Sequence, residues 1–101
     1  MNISNREKIL DISVNLARIS DWVISENLQK KKRVSQFLLE TKEFILSINI
    51  NDVSSKFKPT WIKFSDEFGK LLQDIDSEDK IDWAEKALTW ANILQHRAKL
   101  A

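Results

Sequence analysis

Between Asp74 and Glu85 the chain reads DIDSEDKIDWAE, with carboxylates at the first, third, fifth, ninth and twelfth places. That spacing approaches the oxygen-ligand pattern of a helix–loop–helix calcium site, and Ile81 holds the eighth place, where such loops carry an aliphatic residue. The sixth place of such a loop favours glycine, because the backbone turns there with a positive φ. Here it is Asp79. A loop over the whole of 74–85 would also consume residues that the flanking apolar spacing assigns to helices. A second reading explains the same acids. Asp76 or Ser77 caps a helix, and Glu78, Asp79 and Asp82 lie in its first turns, where the helix dipole favours negative charge by about 0.3–1 kcal/mol each. The cap is the expectation for 74–85, with a cation site as the alternative.

Lys30, Lys31, Lys32 and Arg33 form the densest run of positive charge. Such a run can hold phosphates of a nucleic acid. No aromatic residue is interleaved to stack on bases, and the net charge of the chain is only +1, so no general attraction to DNA or to an anionic membrane is implied. The expectation is a solvated run, or one that the segment 66–85, with its eight acids and two bases, neutralises within the molecule. An acidic protein partner is a further reading. If a helix starts at Leu28, these cations oppose its dipole.

Four Trp, five Phe and no Tyr make up the aromatic set. Trp83 and Trp90 are seven residues apart, on one helical face, beside an alanine-rich row. Two readings follow. In one, Trp83 covers the gap beside Gly69 and Trp90 packs near Trp61. In the other, Trp83, Trp90 and Trp22 form a partly exposed strip that meets another protein or a second copy of the chain, since Trp is enriched at interface hot spots.

Enzymatic chemistry is not expected. The single histidine cannot build a multi-histidine metal site or a bundle-type di-iron centre. There is no cysteine, and a single glycine rules out a Gly-rich phosphate loop. No cofactor is implied. His96-Arg97-Ala98-Lys99 resembles the phosphoacceptor segment of histidine phosphotransfer bundles, in which a lysine also follows the histidine by three. The glycine expected after that lysine is Leu100 here.

The elements that must position these residues follow from apolar spacing. One Gly and one Pro in 101 residues leave too few turn formers for a sandwich or barrel and point to long helices. Ser4 and Glu7 form a capping box. Ile9, Ile12, Leu16, Ile19 and Val23 then keep steps of three and four, which predicts a first helix. The stripe fails over 25–33, so a turn is expected near Ser25–Asn27, followed by a second helix over about 28–48 that buries Val34, Phe37, Leu38, Thr41, Phe44, Ile45 and Ile48. Residues 50–59 read as a loop ending at Pro59, which suits a first helical turn. A third helix runs to about 75 through Phe57, Trp61, Phe64, Phe68, Leu71 and Leu72. A fourth spans about 77–99 and is expected to bury Ile81, Ala84, Ala87, Leu88, Ala91, Leu94 and Ala98.

The expected fold is all-α, a single four-helix antiparallel up-and-down bundle over 1–101. A three-helix bundle with a long first helix is the alternative. The expected role is a small non-enzymatic interaction or accessory module binding another protein or itself. Its rival is a nucleic-acid accessory protein using Lys30–Arg33, and a cation-binding or phosphotransfer bundle ranks third. No apolar run reaches the roughly 20 residues of a membrane span, and a cytoplasmic location is the default.

Overall fold

The computed structural model describes residues 4–101. Four α-helices follow one another: α1 (Asn5–Val23), α2 (Leu28–Ser47), α3 (Lys58–Gln73) and α4 (Lys80–Arg97). Short 3-10 turns at Ile50–Asp52 and Ala98–Leu100 complete the order. The helices pack as an all-α four-helix bundle, and the described residues contain no strand.

Side-chain caps set the boundaries. The Ser4 hydroxyl accepts a hydrogen bond from the Glu7 amide at 3.2 Å and opens α1. Asn27 accepts from the amides of Gln29 and Lys30 and opens α2, so the long first helix of the three-helix alternative is broken where the apolar stripe fails. Pro59 sits in the first turn of α3, where its missing N–H costs no intrahelical bond.

Long-range hydrogen bonds fix the antiparallel order. Lys8 reaches the Ser47 carbonyl, and Asn15 donates to Glu40, so α1 and α2 run oppositely. Ser13 Oγ donates to the Ala91 carbonyl at 2.7 Å, pairing α1 with α4. Arg97 reaches Thr60 at the start of α3, and Trp83 Nε1 donates to the Leu71 carbonyl near its end, pairing α4 with α3.

Two kinds of interface hold the bundle. The α1 and α4 backbones approach repeatedly within 8 Å, whereas α3 and α4 rarely do. The reason is side-chain size. Ser13 on α1 and Ala84, Ala87 and Ala91 on α4 are buried and let the backbones close. Between α3 and α4 lie rings: Trp61, Phe64, Phe68, Trp83 and Trp90 are all buried. Phe64 centres this layer, with its ring centroid 5.5 Å from Trp61, 5.9 Å from Phe68 and 5.5 Å from Trp90. Ile9, Ile12, Leu16 and Ile19 are fully buried along α1, each contributing about 1.5–3 kcal/mol of apolar burial. The loop before α3 is pinned by Val53 and Phe57, both buried.

The fourth helix departs from its expected face. Ile81 is 66% exposed and Leu88 44% exposed. Trp83 and Trp90 lie almost diametrically across α4 from that pair and turn inward instead. The two indoles remove more apolar area from water than Ile81 and Leu88 would, so they set the rotation of the helix. The start of α4 is also later than expected. Asp79, not Asp76 or Ser77, is the cap, and its carboxylate accepts from the Asp82 amide at 3.0 Å. Ser77 accepts from the Asp79 amide one step earlier.

Gly69 is not covered by Trp83. It lies exposed on α3, its φ is not positive, and a β-carbon built there meets nothing within 4 Å. Gly69→Ala is therefore expected to stabilise the protein by about 0.5–1 kcal/mol through helix propensity alone. A urea melt checks this; a lower midpoint would show that the glycine is needed where it stands.

Candidate docking face

The aromatic strip expected from Trp83, Trp90 and Trp22 does not form. Trp83 is 2% exposed with its N–H satisfied by Leu71, and Trp90 packs on Phe64. Trp22 alone is half-buried, its ring edge-on to Phe37 at 4.8 Å.

The acidic segment 74–85 adopts a turn and a helix start rather than a calcium-loop conformation. Asp79 has φ −84°, not the positive value that the sixth loop position favours. No cluster of carboxylates or histidine with metal-binding geometry occurs among the described residues. His96 is exposed in the last turn of α4, and Lys99 lies in the following 3-10 turn.

Lys30 to Arg33 are all exposed in the first turns of α2. They stand at the same end of the bundle as the acidic turn. Lys31 and Lys80 both border a cleft of about 220 Å³ floored by Val23, Val34 and Ile75. The run stands solvated, with no ion pair joining it to those acids among the described residues. Among the described residues, the ion pairs are Lys70 with Asp66 (3.5 Å) and Glu67 (3.6 Å), and Lys86 with Asp82 (3.0 Å). Asp66, Glu67 and Asp82 thus pair locally along their own helices, while Lys80 donates to the Ile75 carbonyl. The Glu67 carboxylate, then Asp66, holds the Lys70 ammonium above its ordinary value, and the hydrogen bond to Asp82 does the same for Lys86. Raised ammonium values stabilise the fold below the ordinary lysine range and lose that effect only as pH climbs through them. These pairs therefore add no pH dependence near neutrality.

No acid occupies the first turn of α2, and Lys30 and Lys31 sit there against the dipole, at a cost of about 0.3–1 kcal/mol each. On the same helix Leu28, Leu39 and Leu46 are 72%, 58% and 74% exposed. At about 100° per residue these leucines fall within about 20° of one another around the axis, along about 27 Å of helix. Lys32, Ser35 and Lys42 complete the row, which advances in alternating steps of four and three residues. Sequence periodicity missed this seam because the stronger stripe of α2, through Val34, Leu38 and Thr41, lies roughly 80–140° away around the axis and dominates the apolar pattern. The signal was present as leucines at the same heptad phase as lysines.

A second concave feature lies between α1 and α4, a groove of about 440 Å³ whose small-residue floor includes Ser13 and Ala91. Its rim mixes Arg18 with Asp21 and carries the amides of Asn92 and Gln95, and the Ser13 hydroxyl is already engaged, so it shows no charge of one sign.

No known protein family, curated protein or solved structure matches the chain. Among the described residues, no helix is long and apolar enough to cross a membrane.

Proposed function

We propose that this protein is a small interaction module that binds another protein through the outer face of α2. The observation that carries the reading is the row of three exposed leucines on a helix that already commits a different face, through Val34, Leu38 and Thr41, to the core. Single exposed apolar residues are ordinary on a protein surface, but alignment at helical spacing is the signature of a helix-packing seam. The conflict between Lys30–Lys31 and the α2 dipole supports it, because local rules are broken at positions kept for another purpose. A nucleic-acid role for Lys30–Arg33 uses the cations and leaves the leucines without a part.

Site-specific photocrosslinking in the cell of origin tests the reading. A crosslinker placed at Leu39 and, separately, at Leu46 is expected to attach the same protein, identified by mass spectrometry, while Ile62 and Ile81 attach none. Equal labelling at all four positions, or none at 39 and 46, overturns it.

A further inference from the structure

Resting on that docking face, the charges around the seam point to the chemistry of its occupant: we infer that α2 receives an amphipathic helix carrying carboxylates beside its apolar row. The α2 helix holds five cations (Lys30, Lys31, Lys32, Arg33 and Lys42) and two carboxylates (Glu40 and Glu43). Lys32 and Lys42 stand in the leucine row itself, and Lys31 borders it. None of the three makes an ion pair among the described residues. A helix laid along the row sets its own apolar residues on Leu28, Leu39 and Leu46. Acids at the intervening levels then meet Lys32 and Lys42, and charged positions beside an apolar seam are what select a partner helix. Negative charge near the first turn of α2 also relieves the conflict between Lys30, Lys31 and the dipole.

The geometry argues against three other occupants. A second copy of the chain brings the same cation-rich face and is repelled. An anionic lipid surface wants an apolar arc of roughly 100° or more, and this narrow row is interrupted by Lys32, Ser35 and Lys42 and bordered by Lys31 on one side and Glu43 on the other. Nucleic acid gains nothing from exposed leucines.

The test uses the full chain and two labelled synthetic peptides of about three heptads each, followed by fluorescence anisotropy. One has leucine along its seam and glutamate on both flanks; the other replaces every glutamate with lysine. The acidic peptide is expected to bind, more weakly as salt rises, and the lysine peptide is not. Leu39→Glu abolishes binding. Lys32→Glu with Lys42→Glu weakens the acidic peptide at least about tenfold and admits the lysine peptide, as charge-selected pairing requires. Far-UV circular dichroism confirms that each variant remains helical.

Equal binding of both peptides, or no effect of the double charge reversal, overturns the proposal. So does binding to a labelled oligonucleotide or to vesicles containing phosphatidylglycerol without binding to the acidic peptide. Crosslinks at 39 and 46 together with failure of the acidic peptide would leave α2 as the docking face and remove the acidic helix as its occupant. Failure of both removes the face as well.

Discussion

Phe64→Ala is expected to destabilise the protein by about 3–5 kcal/mol, as full truncation of a buried aromatic does. Phe64 is fully buried, and its ring meets Trp61, Phe68 and Trp90 within 6 Å between centroids. The layer they form is what holds α3 on α4, since the two backbones rarely come within 8 Å. The hole cannot close by a small shift, because neighbouring rings support one another and the helices are already separated by their thickness. Domains of this size retain about 5–15 kcal/mol in total, so the variant should lie near the edge of stability. Thermal unfolding followed by circular dichroism measures it, with Phe44→Ala as the comparison. Phe44 is only partly buried on α2 and should lose distinctly less. Equal losses at the two positions would show that the ring layer is not the main contact between α3 and the rest.

Ala91→Leu should cost about 1–3 kcal/mol or more, for the opposite reason. Ala91 is 2% exposed, and its carbonyl accepts the Ser13 hydroxyl at 2.7 Å. Ala91 lines the floor of the groove between α1 and α4, but carbons added on the side facing Ser13 push α1 away from α4 and break that bond. The loss of the Ser13 partner leaves a buried hydroxyl to be satisfied elsewhere. Asn92→Leu, one residue on and exposed, should stay within about 0.5 kcal/mol of the parent. Chemical denaturation of the pair decides the matter: a neutral Ala91→Leu would mean that the α1–α4 approach is not tight.

These two outcomes together describe a bundle with unlike seams, and that asymmetry bears on what the sequence disclosed. Helix number, order and most boundaries were readable because each stripe repeats at helical spacing and because Ser4 carries cap chemistry in its own side chain. The break at 25–27 was readable because the apolar stripe fails there, and the Asn27 cap then fixes it. The rotation of α4 was not. Its sequence offers two apolar pairs spaced by seven, Ile81 with Leu88 and Trp83 with Trp90, with alanines between. Small side chains tolerate either face, so only the rings waiting on α3 decide which pair goes inside. The cap at Asp79 was hidden among neighbouring candidates of similar chemistry, Asp76 and Ser77, whose difference lies in loop geometry. The docking face was obscured by a related effect. Placing exposed leucines on a common row requires knowing which side of α2 the core has taken, and that depends on packing with α1 rather than on α2 alone.

The placement of the indoles gives the molecule an uneven optical character. Trp61, Trp83 and Trp90 are all sequestered where α3 meets α4, and the half-buried Trp22 touches Phe37 on the inward side of α2. Intrinsic emission therefore reports the opening of one seam and is nearly blind to events on the outside of α2. A spectrum that stays unchanged while a ligand titrates onto the leucine row is the behaviour this arrangement dictates, and a red shift would signal that the ligand has instead pried the interior apart.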